Sequence, residues 1–541
     1  MARRRDATRS DGKAWIFLSW TSLFLILAMM GVLGLLICVN SFRALWPNRI
    51  EQVTLADGSV FLGFPVNADL SPEGLSRLQY KVANRELNSG ADFRWVYARD
   101  IVSAARPPGA VLVNRAENGD FLGLPGPGAD GSFEKPEQLR ARLRSYRERW
   151  NAGAEPLRRK LASLGEDWQR VHLSALKAQY AMERAAAAPA KEESAKRLRA
   201  ERERESAVKA ESETLMGEFN RIKNDFSRET AVFATAEGET VVLPLSSIVD
   251  ASWPNAMTVM ERAGAFAVNV WRLLTHYPRE ANTEGGIYPA LFGTVMLVFL
   301  MAVSAFPLGV AAGIYLREYA HDGILSRTAR VAVNNLAGVP SIVYGIFGLG
   351  FFIYGMGGAI DDLIYPERVA AGINTYGGGG IIWSALTLGL LTLPVVIVAT
   401  EEALATVPSE IRQGSLALGA TRFQTLWRVI LPMASPGILT GFILAMARAA
   451  GEVAPLMLTG AVKSAHNLPL DGNWPFVHLE RKFMHLGFHI YDMGFQSPNV
   501  EASKPLVYLT ALVLLILVFA LNFSAITLRK RMRDKYAMKG F

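Results

Sequence analysis

Apolar side chains gather into six runs, Trp15 to Val39, Ala290 to Leu316, Val331 to Met356, Ile381 to Thr400, Pro436 to Leu458 and Leu506 to Leu528. Each is roughly the 20 residues a helix needs to cross a bilayer core, so each predicts a transmembrane helix. The long stretch between the first two runs follows other periods. Apolar and polar residues alternate around Asp57-Gly58, Asn118-Gly119 and Gly238, which predicts β-hairpins. Two segments there echo each other, VYARDIVSAARP from Val96 and LPLSSIVDASWP from Leu243, a hint of an internal repeat. From Glu134 to Arg228 the spacing is that of heptads, in Leu157, Leu161, Leu164, Trp168 and Val171 and again in Leu215, Phe219, Ile222 and Phe226. Pro189 marks a turn between two antiparallel helices, whose reach at 1.5 Å per residue is about 60 Å. Their charges predict a solvated face, with a partner-docking arm as the functional alternative.

The expected organisation is an N-terminal segment over 1–14, a transmembrane helix over 15–39, an insertion over 40–286, a membrane domain over 287–530 and a tail over 531–541. Within the insertion, a small β-rich module takes about 50–132 and 229–254 and a long coiled-coil hairpin takes about 134–228. The fold class is thus a mainly α membrane protein with six transmembrane helices.

With 541 residues, 50% of them hydrophobic, the chain is too apolar for an ordinary soluble protein and too charged to be membrane throughout. Charge sets the orientation. Arg3, Arg4, Arg5, Arg9 and Lys13 precede the first span, and Arg317, Arg327 and Arg330 follow the second. Arg412, Arg422 and Arg428 follow the fourth, and Arg529, Lys530, Arg531, Arg533 and Lys535 follow the sixth, whereas the loop from Gly357 to Gly380 holds only Arg368. By the positive-inside rule the four basic segments are cytoplasmic, which puts both termini inside and the insertion outside. These flanks facing membrane lipid explain most of the net charge of +8, so it does not point to nucleic acid. No small-residue cleavage site follows the first span, which predicts a retained anchor. The single Cys38 lies within it and supports no disulfide framework.

The segment PSEIRQGSLALGATRFQTLWRVILP, Pro408 to Pro432, predicts two short helices joined at a rigid elbow. Pro408 suits a first helical position, Glu410 a first turn, Gly419 a left-handed cap and Thr421 the start of the second helix. That helix carries Phe423, Leu426, Trp427 and Ile430 at helical spacing. The pattern resembles the cytoplasmic coupling loop of ABC importer permeases, with Gly419, Val429, Leu431 and Pro432 in register. Where that family has Glu-Ala-Ala this chain has Gln413, Gly414 and Ser415. The resemblance implies a coupling loop over 401–432 in which Arg412, Gln413, Gly414, Ser415, Gly419, Ala420, Thr421, Val429, Leu431 and Pro432 face an ATPase subunit.

In the fifth run, Arg448 and Glu452 stand four residues apart on one helical face. A charge at mid-membrane costs roughly 3 kcal/mol on insertion scales, so the pair is expected to line a cavity, to neutralise itself, or both. Arg448 can donate several hydrogen bonds to a tetrahedral oxyanion while Glu452 holds its guanidinium and balances it when the site is empty. A plain salt bridge that orients the helix is the alternative. Gly451 and Pro455 weaken the backbone there, and broken helices at membrane depth are tolerated chiefly beside cavities.

The strings ALFGTVMLVF, FPLGVAAGIYLREYA, NNLAGVPSIVYGIFGLG, ALTLGLLTLPVVIVATEEAL and ARAAGEVAPLMLTG, with the elbow, resemble the PstA family of bacterial phosphate importer permeases over residues 285 to 530. The family usually has Gly-Glu-Thr-Ala-Pro where this chain has Gly451, Glu452, Val453, Ala454 and Pro455. The resemblance implies half of a translocation pore in a bacterial inner membrane, with Arg448 and Glu452 on the substrate pathway. It also implies a second, PstC-like permease, a pair of PstB-like ATPase subunits and a PstS-like phosphate-binding protein. The insertion lies outside it. Other readings are a permease for another oxyanion or small polar nutrient, or an envelope sensor or scaffold with a degenerate pore. No phosphate-cradling loop occurs, since GAVKS at 460–464 lacks the second glycine before lysine. The chain is therefore expected to be no enzyme and to hold no cofactor, ATP and magnesium residing in the partner. His466, His478, His485 and His489 crowd the last outer loop, His485 and His489 at the spacing of a metal pair, but packing beside Phe483 and Phe488 is the expected role. Glu401 and Glu402 close the fourth span near the elbow's arginines.

Overall fold

A computed structural model describes residues 2–537 apart from 73, 88–90, 127–134, 186, 281, 322, 466, 473 and 498. The expected module end at 132, the expected hairpin start at Glu134 and His466 of the histidine cluster lie outside the described residues. The chain enters as α1 (Ala2–Leu45), whose apolar stretch is exposed along most of its length, as suits a helix whose solvent is lipid.

Two sets of five antiparallel strands follow. β1 (Glu51–Leu55), β2 (Val60–Leu70), β3 (Ser76–Lys81), β4 (Phe93–Tyr97) and β5 (Ile101–Ala105) pair in the order β4-β3-β2-β1-β5. β6 (Val111–Arg115), β7 (Phe121–Pro125), β8 (Thr230–Ala234), β9 (Thr240–Pro244) and β10 (Ile248–Ser252) pair as β10-β6-β7-β8-β9, which is the same topology. In each, a single 3-10 turn, Ala98–Asp100 or Leu245–Ser247, precedes the last strand, which returns to pair with the first. The echo in the sequence is therefore a structural duplication, and two β units stand where one module was expected. Asn118 and Gly119, with φ of 67° and 72°, close the β6–β7 hairpin in the left-handed conformation that the Asn-Gly pair favours.

The arm is inserted in the second unit, between β7 and β8, as α2 (Pro136–Arg184) and α3 (Ala188–Ser227). With 49 residues, α2 extends about 73 Å at 1.5 Å per residue, longer than expected. Pro189 lies at the start of α3, where its missing N–H costs nothing. Along the heptad seam Leu164 and Leu215 are buried, Leu157 and Leu161 half-buried and Trp168 exposed, because two helices alone cannot enclose a seam. The base is held better. Leu139, Leu143 and Tyr146 join Val111, Phe121, Phe233 and Trp253 in the core of the second unit.

The two units share a cluster of Ile50, Leu62, Ala83, Ala110 and Leu122. Asn84 bridges them, accepting from the Leu122 N–H and donating to its carbonyl, each at 2.8 Å. Asn255 closes the insertion by accepting from Ile50 N at 2.9 Å and donating to the Ile50 and Pro107 carbonyls at 2.8 Å.

The chain then runs through α4 (Val259–Thr275) and the short hairpin β11 (Pro278–Arg279) and β12 (Glu284–Gly285) into the bundle. Its helices are α5 (Tyr288–Ile314), α6 (Ile324–Leu336), α7 (Ser341–Phe347), α8 (Gly358–Ile364), α9 (Pro366–Ala370), α10 (Ile381–Ala405), α11 (Ser409–Ala417), α12 (Arg422–Thr425), α13 (Leu431–Gly451), α14 (Ala454–Thr459), α15 (Leu486–Tyr491) and α16 (Val500–Ala537). π-helical turns prolong four of them, at Tyr315–Tyr319, Gly348–Gly357, Leu426–Ile430 and Asp492–Gln496.

Among the described residues six helical stretches are long and apolar enough to cross a membrane, Ala14–Leu45, Tyr288–Tyr319, Ser341–Ile364, Ile381–Ala405, Arg422–Gly451 and Val500–Met532. The third does not start at Val331 as expected. α6 ends at Leu336, and Gly338 to Pro340 separate it from α7, since Pro340 has no N–H to continue a ladder and disfavours helix at Val339. The fifth begins earlier than expected, inside the elbow.

α10 forms the centre, with Ile381, Ala385, Leu388 and Leu391 buried in one cluster with Leu297 and Met301 of α5 and Ala449 and Ala450 of α13. Small residues bring the backbones together. A Cβ built on Gly309 would stand 2.7 Å from Val396, and one on Gly441 only 2.2 Å from the Ala399 methyl. Such close approach replaces the hydrophobic drive that lipid cannot supply.

Candidate functional site

Two constellations lie at opposite ends of one continuous helix. Arg422–Gly451 runs unbroken for 30 residues, about 45 Å at 1.5 Å per residue, from the elbow to the Arg448–Glu452 pair at its far end.

At the first end, α11 and α12 form the expected elbow. Pro408 is the residue before α11 rather than its first member, and Glu410 stands in the first turn. Gly419 has φ of 86°, the left-handed cap that its lack of a side chain permits. Thr421 accepts from Gln424 N at 3.2 Å and Gln424 Oε1 accepts from Thr421 N at 3.0 Å, a reciprocal cap. The apolar face divides. Leu426 and Ile430 are buried against Leu404, Val407 and Ala434, while Phe423 and Trp427 are exposed and stacked on each other at 6.3 Å.

Gln413, Gly414 and Gly419 are exposed, Ala420, Val429, Leu431 and Pro432 half-buried. Ser415 binds Thr425 hydroxyl to hydroxyl at 2.9 Å, so the departed triplet supplies a tie between the two helices. Arg412 turns inward. It pairs with Glu318 at 2.8 Å and donates to the Leu404 carbonyl at 2.6 Å, fastening α11 to the ends of the second and fourth spans. Glu401 meets Arg330 of α6 at 3.2 Å rather than an elbow arginine. The roles of Glu318 and Thr425 were missed because long-range pairs leave no spacing signal. Arg412→Ala is expected to cost about 2 kcal/mol by stripping a charged hydrogen-bond set. It should lower the thermal midpoint of the purified chain, whereas Gln413→Ala should leave it in place.

At the far end, the last turn of α13 holds Arg448, where a helix C-terminus favours a cation. Its Nε lies 3.5 Å from Glu452 Oε1, with side-chain exposures of 34% and 21%. The helix stops at this pair. Glu452 is extended, with φ of −78° and ψ of 135°, and α14 resumes two residues later at Ala454, with Pro455 in its first turn. The contact engages Nε, leaving the guanidinium's terminal donors uncommitted to Glu452. Val453 packs into the Phe483 and Phe488 cluster, with its methyl over Gly487. The arrangement is chemically a paired cation at a helix break, able to exchange its carboxylate partner for an incoming anion.

His485 and His489 are buried in α15 and at its start. Burial holds His485 down to about 3 and His489 to about 4, so both are neutral. His485 Nδ1 accepts from Gly487 N at 3.1 Å, and His489 Nδ1 faces Thr510 Oγ1 at 3.4 Å. Among the described residues no three His, Cys, Asp or Glu side chains are grouped so that they could hold a metal ion.

Comparison with known proteins places the chain. Residues 305–534 match the family model described as binding-protein-dependent transport system inner membrane component. Phosphate transport system permease protein PstA 1 of Mycobacterium tuberculosis is 35% identical over 316 residues, covering 57% of this chain and 89% of the relative. Probable ABC transporter permease protein YqgI of Bacillus subtilis is 33% identical over 226 residues, 40% and 70% of the two chains. A probable phosphate transport system permease protein PstA of Methanocaldococcus jannaschii is 35% identical over 243 residues, 44% and 74% of the two. With a membrane-spanning bundle, an elbow and relatives covered over 70% to 89% of their lengths, the chain belongs to the family of binding-protein-dependent transport system inner membrane components.

Proposed function

We propose that the chain is the permease subunit of an ATP-driven inorganic phosphate importer. As a permease of the ABC importer type it is a membrane subunit and not an enzyme. The observation that carries the substrate is the Arg448–Glu452 pair at the break of α13, in a chain whose relatives are named phosphate transport permeases. Phosphate replaces Glu452 as the guanidinium's partner, and the tetrahedral anion takes up donors that one carboxylate leaves idle. On release Glu452 neutralises Arg448 again, so no bare charge stays at membrane depth.

The pore is completed by a second permease, with ATP and magnesium held by a pair of ATPase subunits and phosphate delivered by a soluble binding protein. The basic flanks support both termini and the elbow on the cytoplasmic side of a bacterial inner membrane, and the insertion outside it. Closure of the ATPase pair moves the elbow through the exposed Phe423 and Trp427, and the unbroken Arg422–Gly451 helix carries that motion to Arg448. Ser415 and Arg412 keep the elbow from absorbing it.

Radiolabelled phosphate uptake in phosphate-starved cells lacking the chain, with and without its restoration, tests the reading. Restored uptake that a tenfold excess of sulfate does not suppress is the expected result. Uptake that sulfate suppresses would reassign the substrate.

A further inference from the structure

The insertion meets the membrane bundle through an ionic cluster that the transport reading does not use. Four elements converge there. The first β unit contributes Gln79 and Lys81 on β3 and Arg85 and Asp92 from the segment between β3 and β4. The second contributes Asp120 beside the β6–β7 turn. The β11–β12 hairpin contributes Arg279, Glu280 and Glu284, and the start of α16 contributes Asn499 and Glu501.

Arg85 is 2.6 Å from Asp92 and 3.5 Å from Glu280, and Lys81 is ion-paired with Asp120. Asn499 donates to Asp92 Oδ2 at 3.0 Å and Gln79 to Glu501 Oε2 at 2.6 Å, so the first unit grips the outer end of the sixth span directly. Glu284 is half-buried. Its Oε1 would stand 3.4 Å from a Cβ on Gly119, against the same hairpin turn that Arg85 covers. Four carboxyl groups, Asp92, Asp120, Glu280 and Glu284, thus share Lys81 and Arg85, and Arg279 also acts on Glu284.

We propose that this cluster is a proton-sensitive latch, which clamps the insertion to the β11–β12 hairpin and α16 when Glu284 is protonated and loosens when Glu284 ionises. Burial, then the charge of Asp120, push the Glu284 carboxyl up to about 7 against the pull of Lys81, Arg279 and Arg85. Burial by itself would pull the Lys81 ammonium down, but Asp120 and Glu284 outweigh it and hold it above its ordinary range. The sign follows from linkage. Glu284 binds its proton more tightly in the closed junction than the ordinary 4.5 of a glutamate, so that stability is complete below 4.5 and is lost as pH rises through about 7. α16 packs along α13, where Arg529 donates to Thr440 Oγ1 at 3.0 Å, so the latch bears on the helix that carries Arg448.

Hydrogen exchange of the full chain in lipid nanodiscs from pH 6 to 8.5, corrected for intrinsic exchange, tests this without reference to transport. In the unaltered chain, protection of residues 76–81 and 282–287 should fall from pH 6 to about 7 by up to about tenfold per pH unit, the ceiling for one proton, and level off above it. Glu284→Gln, an isostere of the protonated acid, should stay protected throughout. Asp120→Asn should move the loss to lower pH by removing the repulsion. A flat profile in the unaltered chain, or the same pH-dependent loss in Glu284→Gln, would overturn the proposal.

Discussion

Arg448→Gln is expected to reduce phosphate uptake by roughly 100-fold, because the charged hydrogen bonds it removes are worth about 3 kcal/mol and each 1.4 kcal/mol is tenfold. The side chain is shortened little, so packing of α13 should survive and the chain should still assemble with its partners. Arg448→Lys keeps the charge but replaces a planar fork by a compact ammonium, and uptake should fall about tenfold. Glu452→Gln leaves Arg448 without its counter-charge at membrane depth, which costs both folding yield and release of bound anion. The measurement is the initial uptake rate at saturating phosphate, normalised to assembled complex. Unchanged uptake in Arg448→Gln would reduce the pair to a helix-orienting salt bridge.

Gly441→Leu should cost more than about 3 kcal/mol, because a core this close cannot take an added side chain without moving a helix. A Cβ there would lie 2.2 Å from Ala399 on α10, and Gly437 makes the neighbouring contact with Ala403. α13 would then be forced off α10, and the loss should appear as a lower thermal midpoint and as lost uptake together. Gly451→Ala is the control. A Cβ at Gly451 meets nothing within 4 Å, so stability should hold there.

The parts of this fold that are written locally were legible. A run of some 20 apolar residues is a one-dimensional signal, and Asn118-Gly119 needs only its two residues to specify a hairpin. Gly419 and Thr421 likewise announce the elbow, and the spacing of Arg448 and Glu452 announced their pairing, although Glu452 lies past the end of α13 rather than on its face. The third span was misplaced because hydropathy over Val331 to Leu336 outweighed the break at Gly338 to Pro340, although Asn334 and Asn335 already argued against a membrane path. Leu139, Leu143, Tyr146 and Trp150 have the same 4-3-4 spacing as the seam beyond them, and that pattern could have shown the base of the arm.

What escaped the sequence was pairing across distance. The duplication of the β units depends on β1 returning to β5 and β6 to β10, contacts with no local signature. Arg412 and Glu318, Ser415 and Thr425, and the latch around Glu284 are of the same kind. The elbow's apolar stripe was visible, but its division into buried Leu426 and Ile430 and exposed Phe423 and Trp427 required the bundle beneath it.

The most direct measurement is ATP-driven accumulation of radiolabelled phosphate in proteoliposomes holding this chain with its second permease and ATPase subunits, supplied with binding protein on the substrate side. The account predicts accumulation that requires ATP, is unaffected by excess sulfate and is lost with Arg448→Gln. No accumulation by an assembled, ATP-hydrolysing complex, or accumulation of sulfate in place of phosphate, would contradict it.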